Sequence, residues 1–209
     1  MPTLTTTRKR TRSRRNDGPG NKRALILNAA TKVFAQRGFS NSQVADVARA
    51  AGVATGTVYL YFRDKNDLLT SIFEQSMTRA LDAAADAIGG LDDPVERIRR
   101  LARVHLGGLG KDRDLAVVFQ VELRHSTKFM ARFSAAQVRT YLGHWRDAVS
   151  EAQASGQFRS DVNPTLVAKA LFGALDEMAT NWVLSSRRYS LVDDADAIVD
   201  LIVNGIRKP

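Results

Sequence analysis

The chain has 209 residues, 44% of them hydrophobic and 25% charged, with a formal net charge of +9, which suits a soluble globular protein of one large or two modest domains. It contains no cysteine, which excludes disulfides and thiolate metal sites. His105, His125 and His144 are too scattered for a His-Glu-x-x-His pair, so neither metal nor cofactor is expected. No apolar run approaches the roughly 18 residues of a membrane span, and Leu25-Ile26-Leu27 stops at Asn28 before a signal core can form, so the expected location is the cytoplasm, away from membranes.

The positive charge is segregated. Residues 1–70 hold 13 Lys and Arg against 4 Asp and Glu, whereas residues 71–209 hold 18 of each. Phosphate neutralisation drives non-specific binding to DNA, so a surplus confined to one end points to nucleic acid more strongly than the total does.

In chain order, residues 1–22 are rich in Thr, Arg, Ser, Gly and Asn and read as a disordered basic arm. Ala24–Arg37 reads as a helix with Ile26, Ala30, Val33 and Phe34 on one face, ended by Gly38. Ser42–Ala51 and Thr55–Phe62 read as two short helices joined at Gly52, with Val53 plugging the corner. The second shows Thr55, Thr57, Tyr59 and Tyr61 on a side too polar for a core. That is the pattern of a helix-turn-helix, whose second helix must lie in a major groove. Asp64 can cap a long helix, to about Ile88, that links both halves of the chain without a break.

Beyond it, Asp93-Pro94-Val95-Glu96 opens a helix to about Leu106, and Gly107-Gly108-Leu109-Gly110 reads as a break. Further helices are expected over 114–126, 128–155, 164–185 and 192–206, with no convincing strand or repeat. The fold class is therefore all-α, with about nine helices. The expected domains are the arm, 1–22, a DNA-binding domain, 23–70, and a ligand-binding and dimerisation domain, 71–209.

The run Gln43-Val-Ala-Asp-Val-Ala-x-x-Ala-Gly-Val-x-x-Gly-Thr-Val-Tyr-x-Tyr-Phe-x-x-Lys65, behind a basic arm and ahead of a long helical remainder, resembles the TetR family of repressors. The resemblance implies that Thr55, Gly56 and Thr57 approach bases. It also implies that Tyr59, Tyr61 and Lys65 grip phosphate, with Ser42 and Gln43 assisting. Phe62 reads as packing. Leu115–Ser126, Phe172–Glu177, Trp182-Val183 and Tyr189-Ser190-Leu191 resemble the FadR branch, which implies control of fatty-acid degradation genes and release from operator DNA by long-chain acyl-CoA.

Such an effector needs an apolar tunnel and cations at its mouth. Leu101, Phe119, Leu123, Phe133, Leu142, Trp145 and Phe172 are the candidates for the tunnel, although such side chains are more often simple core than ligand lining. The cations are Arg99, Arg100, Arg103, Arg124, Arg187 and Arg188, the first three being as compatible with a solvated helix face. Glu122 and Arg124 stand on an otherwise apolar helix and read as functional. Asp176-Glu177 could orient a ligand or tie a subunit interface.

A palindromic operator with half-sites about 34–36 Å apart requires a two-fold homodimer. The expected interface is formed by helices 164–185 and 192–206, through Ala170, Gly173, Ala174 and Met178. Two alternatives differ in kind. One is a repressor of efflux genes induced by a drug-like or other hydrophobic small molecule. The other is an enzyme acting on acyl-CoA, for which the sequence offers no nucleophile elbow, paired carboxylates or glycine-rich cofactor loop.

Overall fold

The computed structural model describes residues 19–122 and 136–208. Within them the chain forms nine α-helices: α1 Pro19–Arg37, α2 Val44–Ala51, α3 Thr55–Tyr59, α4 Lys65–Ile88, α5 Pro94–Gly110, α6 Arg113–Val117, α7 Gln137–Ala154, α8 Pro164–Leu184 and α9 Ala195–Ile206. A π-helical turn, Val118–Glu122, follows α6, and a 3-10 turn, Leu191–Asp194, precedes α9. No helix among the described residues is long and apolar enough to cross a membrane. The arm over residues 1–18 lies outside the described residues, while residues 19–22 belong to α1, which starts earlier than its apolar face suggests because proline is well suited to the first helical turn.

Helix starts follow the polar caps. Asp64, Asp93, Asp112 and Asn163 each accept a hydrogen bond from the backbone N–H two or three residues on, at 2.8–3.0 Å, which satisfies donors the helix leaves open. One break in the sequence reading is absent. Helix α5 runs through Gly107–Gly110, and its last turns lie within ordinary van der Waals reach of the Leu191–Asp194 turn. A Cβ on Gly110 would stand 3.5 Å from Leu191 Cβ, and one on Gly107 would stand 3.8 Å from Val192 Cγ2.

In the N-terminal half, α1 packs on α2 and α4 through Ile26, Leu27, Ala30, Val33 and Phe34. In the other half α5 lies among α4, α7, α8 and α9, around the fully buried Leu101, Leu106, Trp145, Leu171 and Leu175. Arginines on the outer face of α5 tie it to its neighbours. Arg99 pairs with Asp200, Arg103 donates to Asp196 at 2.9 Å, and Arg97 pairs with Glu151.

One polar cluster sits inside this bundle. Tyr141 Oη lies 3.2 Å from His105 Nδ1, and His105 Nε2 is buried with no partner. Burial pushes the His105 imidazole down to about 4, against a smaller opposing pull from Asp176. The same burial raises the Tyr141 phenol. The unfolded chain therefore takes up a proton near pH 6.5 that the folded chain refuses until about pH 4, so stability falls as pH drops through that interval. Urea unfolding of the wild type between pH 7 and 4 should show a loss on the order of 3 kcal/mol that His105→Gln lacks. Equal pH slopes in the two proteins would refute the assignment.

Candidate DNA-reading face and ligand cavity

The turn between α2 and α3 is built on Gly52, whose backbone is left-handed at φ 67° and ψ 34°; a side chain there would be strained. Val53 N then donates to Ala48 O at 3.0 Å, closing the corner. Helix α3 has five residues, too short to persist alone. Its place is set by Val58 and by Phe62 just beyond it, both buried, each contributing on the order of 2 kcal/mol. This anchoring turns Thr55, Gly56 and Tyr59 outward, with Tyr59 54% exposed, and Thr57 is half-buried. Nothing lies within 4 Å of where a Gly56 Cβ would be. Gln43 is exposed beside them, and its backbone N–H donates to Asp46 at 3.0 Å. That bond, with Arg37 and Arg49 nearby, holds the Asp46 carboxyl below the usual carboxylate range. Leu60 was not foreseen, yet it is 82% exposed at the end of α3.

Three expected DNA contacts have side chains wholly or partly engaged within the head. Ser42 is buried, and its hydroxyl donates to Gly38 O at 2.6 Å. The Lys65 ammonium donates to Phe39 O at 2.7 Å, Ser42 O at 2.9 Å and Ser40 O at 3.3 Å, and lies 4.5 Å from the Phe39 ring centroid. Its three donors are thus committed inside the head, and it clamps the α1–α2 turn rather than extending toward a phosphate. Tyr61 is half-buried and packs against the core.

The C-terminal half contains a cavity of about 430 Å³. Met77 and Ala80 of α4, Val104 and Leu109 of α5, and Val138 of α7 supply its apolar wall, and Phe119 and Phe172 complete it. His105, Tyr141, Gln120 and Asp176 add a polar strip, in which Gln120 Nε2 donates to Asp176 at 2.6 Å. Arg79 and Lys111 also line the cavity and are exposed.

Among the sequence candidates Phe119 and Phe172 reach the cavity. Leu101 and Trp145 point into the solid core and Leu142 lies off the lining. Arg103, with Arg99 and Arg100, is spent on carboxylates of α5 and α9. Leu123, Arg124 and Phe133 lie outside the described residues. Glu122 is not in the cavity either. Its carboxylate accepts the Phe39 N–H at 2.7 Å, joining the π turn to the α1–α2 turn. Gly38, at φ 79°, supplies the left-handed backbone of this turn, where a side chain would be strained.

The outer face of α8 leaves Ala170 and Gly173 exposed, with Ala174 and Met178 half-buried. Leu166 and Leu184 on α8 and Leu201 on α9 are exposed large apolar side chains, Leu201 at 80%.

Comparison with known proteins matches this division. A profile described as bacterial regulatory proteins, tetR family, matches residues 26–72, and one described as YsiA-like protein, C-terminal region, matches residues 73–205. The fatty acid metabolism regulator protein of Bacillus subtilis (strain 168) is 33% identical over 181 residues, which cover 87% of this chain and 93% of that protein. The structure of the fatty acid degradation regulator FadR from Bacillus halodurans aligns with a TM-score of 0.84 at 33% identity, over 93% of this chain and 100% of that one. FadR from Bacillus subtilis, solved in complex with stearoyl-CoA, aligns with a TM-score of 0.81 at 31% identity, over 88% and 99%. These relatives are regulators rather than enzymes. With one profile on the DNA-reading head, another on most of the remainder, and relatives matched along nearly their whole length, the chain belongs to the TetR family of bacterial transcriptional regulators.

Proposed function

We propose that the protein is a homodimeric repressor that holds a palindromic operator and releases it when a long-chain acyl-CoA fills the cavity, with fatty-acid degradation genes as its targets. The observation that carries this reading is the position of one π-helical turn. Phe119 lines the cavity and stacks on Phe73 with 5.6 Å between centroids, and three residues later Glu122 holds the Phe39 N–H of the head. A ligand that displaces Phe119 therefore moves the residue that fixes the α1–α2 turn. A second route runs along α4, which supplies Met77 and Ala80 to the cavity and begins at Lys65 in the head.

The chemistry of the cavity supports an acyl chain. Its volume falls within the roughly 300–1,000 Å³ of small-molecule sites, its wall is mostly apolar, and Arg79 and Lys111 put positive charge beside it. The complex of the Bacillus subtilis relative with stearoyl-CoA supports the thioester in particular. Dimerisation is supported by the small and apolar residues exposed on α8 and α9, which would allow close helix approach across a two-fold axis. On α3, the open space around Gly56 leaves room for a DNA backbone or base edge.

A fluorescence-anisotropy titration of operator DNA tests the proposal. Stearoyl-CoA should lower operator affinity at least about a hundredfold, which takes roughly 2.7 kcal/mol of differential affinity. Unchanged operator affinity would end the acyl-CoA reading, and release by a bare hydrophobe alone would favour the drug-responsive alternative. Glu122→Gln should narrow the ratio between liganded and unliganded operator affinity several-fold while leaving acyl-CoA binding in place; an unaltered ratio would remove the π turn from the coupling route.

The DNA-reading residues divide by role. Tyr59→Ala should weaken operator binding roughly tenfold or more, and Thr55→Ala should change the preferred sequence more than the overall affinity. Lys65→Ala should weaken operator binding and lower thermal stability without altering the salt dependence of binding. A salt slope reduced by about 1 would instead make Lys65 a direct phosphate contact.

A further inference from the structure

A second concavity, of about 470 Å³, lies beside the first, where the α5–α6 turn meets the end of α8. Lys111 and Asp112 line the apolar cavity, and the next residue, Arg113, lines this crevice. Its other walls are Trp182, Ser185 and Ser186, Arg187 and Arg188, and Tyr189. Among the described residues no carboxylate lines it.

The crevice is held in shape by one of its cations, Arg113, and by bonds that leave the guanidiniums of Arg187 and Arg188 unused. Arg113 donates to Val183 O at 3.0 Å and Ser185 O at 2.8 Å, capping the carbonyl end of α8, and its guanidinium lies 4.8 Å from the Trp182 ring centroid. The Trp182 indole N–H donates to Tyr189 O at 3.0 Å, and Arg187 N donates to Ser185 Oγ at 3.0 Å. The loop after α8 is thus pinned at both ends, while the Arg187 and Arg188 side chains are exposed and have no carboxylate within salt-bridge distance among the described residues. This contrasts with α5, where Arg97, Arg99, Arg100 and Arg103 are all paired. Two free guanidiniums, two hydroxyls and the exposed ring of Tyr189 suit a phosphorylated purine nucleoside, through charge-assisted bonds to phosphate and stacking on the base.

We propose that this crevice takes the phosphoadenosine end of the acyl-CoA effector. The thioester's pantetheine passes the α5–α6 turn at Lys111, and the acyl chain lies in the apolar cavity. The inference rests on the acyl-CoA reading above and deepens it: chain length is sensed in one compartment and the nucleotide in the other. Arg187 and Arg188 then decide between a CoA thioester and a bare fatty acid.

The test compares three probes, stearoyl-CoA, S-stearoyl-pantetheine and CoA itself, on the full-length wild type and on Arg187→Ala/Arg188→Ala, by calorimetry and by operator release. The double variant should bind stearoyl-CoA at least about tenfold more weakly than wild type. It should bind S-stearoyl-pantetheine as well as wild type does, and Arg187→Lys/Arg188→Lys should recover part of the loss. Equal stearoyl-CoA affinity in wild type and the alanine variant would overturn the crevice assignment while leaving the acyl-CoA reading intact. A loss confined to operator binding, with a shallower salt slope, would make the arginines a DNA contact and overturn it too. If wild type releases operator with no stearoyl compound, the acyl-CoA reading fails; CoA binding that the alanine variant loses would then still uphold a nucleotide crevice, and no CoA binding would overturn both.

Discussion

The turn between α1 and α2 is the constraint on which the DNA-reading head depends. It is only six residues long, between Arg37 and Val44, and three of its carbonyls receive one ammonium, that of Lys65. The next backbone donor, Phe39 N–H, goes to Glu122 from the other half of the chain. Neither bond would matter much alone, since a single hydrogen bond contributes about 1–3 kcal/mol even when one partner is charged. Their importance lies in what they join. Lys65 is the first residue of a helix that continues into the cavity wall at Met77, about 18 Å further on. Glu122 is the last residue of a turn that also carries Phe119. The orientation of the head is thereby set by two struts, and both stand in the wall of the same apolar space.

The cavity exists because the bundle is packed unevenly. Around Leu101 and Leu106 of α5 the bundle closes completely, and Trp145 of α7 is fully buried there. Beside Val104 and His105, the cavity wall is completed by Phe119 on a π-helical turn and by Phe172, which is only half-buried. A π turn carries one residue too many for regular helical spacing, so it cannot present a flush ridge to a neighbouring helix. Such turns recur at functional sites.

Much of the architecture was legible in the sequence because it rests on local rules. Asp64, Asp93-Pro94 and Asn163-Pro164 announce helix starts through backbone donors they can satisfy within a few residues, and Gly52 announces a left-handed turn. The exposure of Thr55, Gly56 and Tyr59 was legible, since a helix anchored by Val58 must turn those positions outward. What local rules cannot convey is the partner of a side chain that is distant in sequence. Lys65 meets carbonyls more than twenty residues earlier, and Arg103 meets Asp196 on the far side of the bundle. Trp145 and Phe172 are both large aromatics on amphipathic helices, and only the packing of α5 decides that one is core and the other cavity. Gly107–Gly110 misleads for a similar reason: glycine is a helix breaker in isolation, yet here the helix continues with the Leu191 turn lying against it.

Helix α3 is a shallow platform fixed from beneath. Val58 and Phe62 hold it down, and no neighbouring atom would obstruct a side chain added at Gly56. Residues 55, 56 and 59 are accordingly decoupled from the stability of the head. Groups exchanged at these outward positions change the surface that α3 presents without first disturbing the packing beneath it.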